Sequence, residues 1–345
     1  MDQSILLILT QDGVTNGAVY ALLALALVLV FAVTRVILIP QGEFVSYGAL
    51  TLAGLELGQP PVVAWLLVGL GVIAAVLDLA QAGRSLTARA MLRILGLYIV
   101  GPLVLLALGR WLAPMKLGLA AEVLITLVLV TPLGPLIYRI AYQPLAEAAV
   151  LVLLIASVGI HFALMGLGLI FFGAEGSRTT AFSDARMDMG ILTITGQSLW
   201  VLATSLGFMV ALYLFFEHTL WGKALRATAV NRLGARLVGI STALSGRMAF
   251  TVAAFIGALS GILIAPLTTI YYDSGFLIGL KGFVAAIIGG LGSYPAAVLA
   301  ALLVGLIEAF SSFWASAYKE VIVFTVIIPV LLWRSLAAVA VDDEE

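Results

Sequence analysis

The sequence predicts an all-α integral membrane protein, a single polytopic bundle of about ten transmembrane helices. The chain of 345 residues is 63% hydrophobic and has a mean hydropathy of +1.19. Only 10% of its residues are charged, against about 25% in soluble domains. Apolar runs long enough to cross about 30 Å of hydrocarbon as a helix recur along the chain. Runs such as LLALALVLVFAV (22–33) do not alternate, which favours helices over a closed barrel.

We predict ten spans, at residues 13–34, 42–57, 61–77, 94–112, 117–138, 148–173, 197–217, 248–270, 282–310 and 321–337. The run 282–310 contains GGLGSYP (289–295), which predicts a helix–break–helix, as two crossings or as a re-entrant pair. Freed backbone groups cannot face lipid, so we expect the break to be packed in protein or to line a cavity. We expect a side chain at Gly290 or Gly292 to clash. The candidate pathway or break residues are Glu43, Gly289, Gly290, Gly292 and Pro295.

Basic residues predict the orientation, because cytoplasmic loops are enriched in Lys and Arg. Ten of them fall on one side of the predicted bundle: Arg35, Arg84, Arg89, Arg93, Arg139, Lys223, Arg226, Arg232, Arg236 and Arg247. Five fall on the other side: Arg110, Lys116, Arg178, Arg186 and Lys281. We therefore place 78–93, 139–147 and 218–247 in the cytoplasm. The range 174–196 is then the main outer loop, an ordinary solvated one.

Several function classes find no support in the sequence. There is no G-x-x-x-x-G-K-[ST] phosphate-binding loop, since WGKAL (221–225) lacks the first glycine and the Ser/Thr. His161 and His218 are far apart and there is no cysteine, so we expect no metal, no cofactor and no enzymatic activity. The net charge of −1 gives no reason to expect nucleic acid. The N-terminus lacks the basic region and cleavage site of a signal peptide.

Two ionisable residues lie deep in predicted spans, where a polar side chain is a functional candidate by default. For His161 we favour a neutral side chain that is hydrogen-bonded to a neighbouring helix. Glu308 either lines the pathway or is a structural acid hydrogen-bonded to Ser311 or Ser312. We favour the structural role for Glu308.

The stretch KALRATAVNRLGARLVGIS (223–241) carries four basic residues and no acidic one between two apolar runs. On a helical wheel an apolar stripe of about 120° is formed by Leu225, Ala229, Leu233, Leu237 and Ile240. Gly234 could split the segment into two short helices. An ordered stripe beside cations favours docking onto a protein partner. The alternative is a basic loop that only sets topology.

Four separated stretches resemble, in order, the permease subunits of branched-chain amino-acid ABC importers, the H-type member of the permease pair. They are GVTNGAVYALLALALVLVFAVTRVILIPQGEFVSYGAL (13–50), AYQPLAEAAVLVLLIASVGI (141–160) with LIFFG (169–173), residues 223–241, and GLKGFVAAIIGGLGSYPAAVLAALLVGLIE (279–308). Two features depart from the pattern. LIPQG (38–42) stands where the family carries an NFAHG-like run, and three spans lie where one is expected.

The resemblance implies one transmembrane domain over 1–345, with a two-span insertion within about 61–138, in the bacterial inner membrane. It implies a permease subunit of a binding-protein-dependent ABC importer for branched-chain or related amino acids. Its partners would be two ATPase subunits, a second permease subunit (a hetero- or homodimer) and an extracytoplasmic solute-binding protein. The loop 218–247 would couple to the ATPase through Arg226, Arg232, Leu233, Arg236, Leu237 and Gly239. The alternative is a self-sufficient channel or secondary carrier for an amide- or urea-type solute.

Overall fold

The computed structural model describes residues 3–82, 87–189 and 192–333. Its first half contains α1 (Gln3–Thr34), α2 (Gln41–Glu56), α3 (Val63–Ala82), α4 (Ala88–Leu95), α5 (Gly101–Leu112), α6 (Leu119–Val130), α7 (Leu133–Ile137) and α8 (Val150–Phe172). A hairpin of β1 (Arg186–Met189) and β2 (Leu192–Thr195) follows. The second half contains α9 (Gly196–His218), α10 (Leu220–Val230), α11 (Arg232–Leu237), α12 (Thr242–Ile264), α13 (Ser274–Ile288), α14 (Tyr294–Trp314) and α15 (Lys319–Thr325).

Nine helices in the described ranges are long and apolar enough to cross a membrane, and α13 is a shorter apolar helix. The predicted all-α polytopic bundle is therefore confirmed. Most boundaries shift by several residues, and the two largest differences are the following. The first helix begins at Gln3 rather than at residue 13, and the run 282–310 belongs to two separate helices, the first of which begins at Ser274. Residue Arg84 and the end of the last predicted span, 334–337, lie outside the described residues.

The centre of the bundle consists of α1, α2, α12, α13 and α14. The most extensive helix pairs are α1 with α14 and α2 with α12. Fourteen of the sixteen residues of α2 are buried, so other helices rather than lipid surround it. Gly42 on α2 faces Gly275 on α13, and a Cβ at Gly42 would lie 2.9 Å from the Cα of Phe276. Small residues at this crossing let the two backbones approach closely.

The range 61–138 contributes three spanning helices at the edge of the bundle: α3, the continuous helix Ala88–Met115, and the helix Leu119–Tyr142. The second and third each include a π-helical turn, at Gly96–Val100 and Tyr138–Tyr142. Arg139 ties the third helix to the first, since its Nε donates to Asp78 Oδ1 at 2.6 Å and its Nη2 to Gln81 Oε1 at 2.7 Å. The interpretation of two of these helices as an insertion stays a prediction.

The charged residues of the loop 174–196 are exposed, as expected of a solvated loop, but the loop is also ordered against the bundle. It contains the β-hairpin, in which Met187 lies opposite Ile194. The Arg178 guanidinium donates to the carbonyl of Pro266 at 2.8 and 2.9 Å. The Glu56 carboxylate accepts from the Thr180 hydroxyl at 2.9 Å. Because Arg178 and Thr180 of the loop bind groups at or just beyond the ends of α12 and α2, the loop covers that end of the bundle.

Candidate functional site

A polar cavity of about 590 Å³ opens at the end of the bundle where the loop 174–196 lies. Its walls come from α1, the segment after α12, α13, α14 and α15. Charged side chains of both signs line it: Asp12, Lys281, Glu308, Lys319 and Glu320. With the orientation predicted from the basic residues, this cavity faces the outside.

Lys281 is the centre of a buried charge network in this cavity. Its Nζ lies 2.5 Å from Glu308 Oε1 and 3.1 Å from Glu320 Oε1. The Tyr20 hydroxyl donates to Glu308 Oε2 at 2.5 Å. Lys281 and Glu308 are only 5% and 8% exposed. Burying these charges is costly, and the mutual pairing offsets that cost while it joins α1, α13, α14 and α15.

The predicted partners of Glu308 are wrong, because Glu308 pairs with Lys281 and Tyr20 rather than with Ser311 or Ser312. Glu308 is thus a structural ion-pair partner that also lines this cavity, and a pathway role for it stays a prediction. Lys281, counted above with the outer loops, lies inside α13. Its signal was visible as a single lysine in SGFLIGLKGFVAAII (274–288). A charge in such a run requires a buried partner.

A second buried polar pair connects α2 with α8. His161 Nδ1 lies 2.6 Å from Glu43 Oε1, and the His161 ring stacks on Phe276 with centroids 4.4 Å apart. The predicted hydrogen bond from His161 to a neighbouring helix is confirmed, although Glu43 was not foreseen as its partner. Glu43 Oε2 is buried and has no hydrogen-bond partner among the described residues. A pathway role for Glu43 stays a prediction.

The predicted break is a tight turn between α13 and α14, which form a helical hairpin. Gly290 and Leu291 have positive φ values of 89° and 54°, and the first of these favours glycine. At Gly289 a Cβ would lie 2.5 Å from the Cα of Ala297 on the facing helix. Glycine at this position therefore permits the close approach of the two helices.

The expectation of an interior break is wrong for Gly292 and Pro295, which are both exposed. A Cβ at Gly292 would meet only the carbonyl oxygen of Gly290, at 3.7 Å, so the expected clash there is also wrong. Tyr294 stacks on Phe216 at the end of α9, with ring centroids 5.6 Å apart. The turn thus lies at the end of the bundle beside the predicted coupling segment.

The segment 223–241 forms two helices, α10 and α11, that divide at Asn231 and not at Gly234. Asn231 has an extended backbone, with φ −150° and ψ 102°. Its side-chain Oδ1 accepts from the backbone N–H of Gly234 at 2.8 Å, which is a helix N-cap. Gly239 follows α11 with φ +85°.

The predicted continuous stripe is wrong, because the break at Asn231 separates the directions of the two helices. Leu225 on α10 is buried at 1% exposure, whereas Leu233 and Leu237 on α11 are 67% and 80% exposed. We name the exposed apolar set the α11 apolar face; it comprises Val230, Leu233, Leu237 and Val238.

The arginines of the segment bind this chain itself. Arg226 pairs with Glu217 at 2.9 Å, and Arg236 Nη1 pairs with Glu147 Oε1 at 3.1 Å. Arg232 Nη1 donates to the carbonyl of Ala146 at 3.2 Å. Two of these contacts fasten α11 to the turn before α8. The arginines therefore hold the α11 apolar face outward, where it is free to contact another molecule.

Comparisons with known proteins agree with this architecture. A family described as "Branched-chain amino acid transport system / permease component" matches residues 9–331. The chain is 26% identical over 353 residues to the high-affinity branched-chain amino acid transport system permease protein LivH of Escherichia coli K12, covering 96% of this chain and 95% of that protein. It is 27% identical over 333 residues to the permease protein BraD of Pseudomonas aeruginosa, covering 94% and 92%.

A probable branched-chain amino acid transport permease protein LivH of Methanocaldococcus jannaschii is 27% identical over 221 residues, which cover 60% of this chain and 70% of that protein. No solved structure matches the chain significantly. The family match extends over nearly every helix described above, including the charge network and the segment 223–241. The chain therefore belongs to the family of permease components of branched-chain amino acid transport systems.

Proposed function

We propose that this chain is the permease subunit of a binding-protein-dependent ABC importer in the bacterial cytoplasmic membrane. Two ATPase subunits would supply the energy, and a second permease or a second copy of this chain would complete the pathway. An external solute-binding protein would deliver the solute. The sequence has no phosphate-binding loop of its own, so in this proposal ATP is hydrolysed by another chain.

The α11 apolar face is the observation that carries this proposal. Leu233 and Leu237 lie on a short helix outside the bundle, fixed by arginine contacts to the turn before α8. A loop that only sets topology needs charge but no fixed apolar surface. Burying a leucine side chain in a partner groove contributes about 1.5–3 kcal/mol. Two such residues are enough to decide whether an ATPase subunit stays bound.

The basic residues have a different role in this proposal from the one expected from sequence. Arg226 and Arg236 are paired with acids of this chain, so they position α10 and α11. Gly239 ends α11 in a backbone conformation that glycine favours. Docking through the α11 apolar face is therefore expected to be less sensitive to salt than docking through ion pairs.

The outer cavity supports an amino acid as the solute. The relatives are named for branched-chain amino acids, whose head group carries one charge of each sign. Asp12 and Lys319 both line the cavity, and neither has a salt bridge within the described residues. They provide opposite charges for an ammonium and a carboxylate group.

The test is Leu233→Ala combined with Leu237→Ala. The variant should insert correctly and lose its ATPase subunits on purification, because each truncation weakens docking by about tenfold or more. Leu299→Ala with Leu303→Ala is the matched control, since it truncates an exposed leucine pair of the same spacing on α14. The proposal fails if the α11 variant keeps its ATPases and supports normal uptake.

A self-sufficient channel or carrier makes the opposite prediction. The purified chain, reconstituted alone in vesicles, should then take up solute without ATP. We expect no uptake until the ATPase, the binding protein and, if the permease is a heterodimer, the second permease are added.

A further inference from the structure

An apolar groove of about 550 Å³ lies on the outside of the bundle, between α3, the helix Ala88–Met115 and α7. Its walls are aliphatic side chains and prolines, among them Leu67, Val104, Pro132 and Leu136. Leu97 and Val104 at its edge are 59% and 49% exposed. In a bilayer such a groove is open to hydrocarbon chains along its length.

A basic depression of about 470 Å³ adjoins one end of this groove. The two share Leu97, Tyr98 and Arg247. Arg89 and Arg93 also line the depression, and neither side chain forms a salt bridge or a hydrogen bond with any described residue. Their spacing of four residues places both on one face of α4.

The charge of the depression is positive. Asp78 is the acid in its lining, and its Oδ1 already accepts from Arg139 at 2.6 Å. Arg247 donates to Gln143 Oε1 at 3.2 and 3.3 Å, which orients the guanidinium without neutralising it. Arg89, Arg93 and Arg247 therefore present uncompensated positive charge beside an apolar groove.

The three arginines lie at a similar depth along the membrane normal, near the same end of the bundle. Arg89 and Arg93 stand in the first two turns of α4, and Arg247 stands in the second turn of α12. Both helices begin on the side that the basic residues assign to the cytoplasm. Positive pockets between helices at this level suit the head groups of anionic lipids.

We propose that this composite site binds one anionic phospholipid of the inner leaflet. The arginines contact its phosphate, and an acyl chain occupies the groove between α3 and the helix Ala88–Met115. The occupant is a lipid rather than a free phosphate because the apolar groove continues directly from the basic depression. The bound lipid would join the three helices of the range 61–138 to α12 through Arg247.

Arg89→Gln with Arg93→Gln tests the head-group contact. The intact purified protein is titrated in detergent micelles with phosphatidylglycerol or with phosphatidylcholine, and native mass spectrometry counts retained lipids. We expect the unaltered chain to retain one phosphatidylglycerol in preference to phosphatidylcholine. The double variant should bind phosphatidylglycerol about 30-fold more weakly, since each surface arginine contributes about 1 kcal/mol. Arg110→Gln with Lys116→Gln, at and just beyond the opposite end of the same helix, should bind like the unaltered chain.

Gly101→Leu tests the groove without removing charge. A Cβ at Gly101 meets only Gly96 O, at 3.5 Å, so the backbone accepts a side chain that then projects into the groove. This variant should also lose the retained lipid while keeping its fold by circular dichroism. Equal retention of both lipids, or full retention by the double arginine variant, would overturn the proposal. Displacement of phosphatidylglycerol by excess inorganic phosphate would show a simple anion site and would overturn it too.

Discussion

The charge network around Lys281 should respond unequally to the removal of its members. Lys281 has two carboxylate partners, Glu308 and Glu320. Lys281→Met leaves both acids without their counter-charge. Glu308→Gln, in contrast, leaves Lys281 still paired with Glu320 at 3.1 Å. We therefore expect the lysine substitution to be the more damaging of the two.

The magnitudes follow from burial. Removing one partner of a buried pair costs about 3–5 kcal/mol because the remaining charge is left uncompensated, and Lys281 and Glu308 are both buried. Glu308→Gln loses a charged hydrogen bond, which costs about 1.5–3 kcal/mol. In the Glu308→Gln variant the remaining Lys281–Glu320 pair is also partly screened by water, because the Glu320 side chain is 32% exposed. The double variant Lys281→Met with Glu308→Gln should be more stable than Lys281→Met alone by about 1 kcal/mol or more.

Equilibrium unfolding in mixed detergent micelles measures the four free energies of this cycle. Lys319→Met is the matched control, because Lys319 lines the same cavity without a salt bridge within the described residues. Its effect should stay within about 0.5 kcal/mol. The reasoning is refuted if Lys281→Met costs no more than Glu308→Gln, or if the double variant shows the sum of the two single effects.

Three other predictions concern packing and orientation. Gly289→Val should destabilise the protein by about 1–3 kcal/mol, because the new side chain overpacks against α14; Gly292→Ala should stay within about 0.5 kcal/mol. Leu225→Ala should cost about 2–5 kcal/mol because Leu225 is buried, and equilibrium unfolding measures all three variants. Single cysteines at the exposed positions Ala181 and Val230 should react with an impermeant maleimide from opposite sides of the membrane.

Each of these has a clear contrary result. Equal stability of the Gly289 and Gly292 variants would show that the helical hairpin tolerates a wider turn. If Leu225→Ala left the free energy of unfolding unchanged, α10 would not be packed against the bundle. Labelling of both cysteines from one side would contradict the orientation derived from the basic residues. Since the sequence contains no native cysteine, the maleimide can label only the introduced cysteines of this chain.

The sequence was sufficient for features that depend on local composition. Apolar runs predicted the helical bundle, and GGLGSYP (289–295) predicted a break that the structure places between α13 and α14. The arrangement of α10 and α11 was within reach as well. Asn231 is a favoured N-cap residue, and weighing it against Gly234 would have located the division. A helical wheel drawn across that division gave a stripe that cannot exist.

Features that depend on distant parts of the chain were not accessible. Lys281 and Glu308 lie on different helices, and the partner Tyr20 lies near the start of the chain. His161 similarly finds Glu43 across 118 positions. The periodicity of the sequence does not indicate which polar residues on different helices form pairs. The packing of the central helices with α8 and α15 determines which buried charges meet.

The burial of α2 has a consequence for the order in which the protein is assembled. Its sequence QGEFVSYGALTLAGLE is a poor candidate for entering lipid alone, since it includes a glutamine and a glutamate. The helices that cover it, α12 and α13, emerge from the ribosome about 200 residues later. At roughly 5–20 residues per second, α2 waits on the order of ten seconds or more for those neighbours. During that interval earlier segments such as α6, which also contacts α2, or an insertion chaperone must shelter its polar groups, so mutations there bear on insertion as well as on final stability.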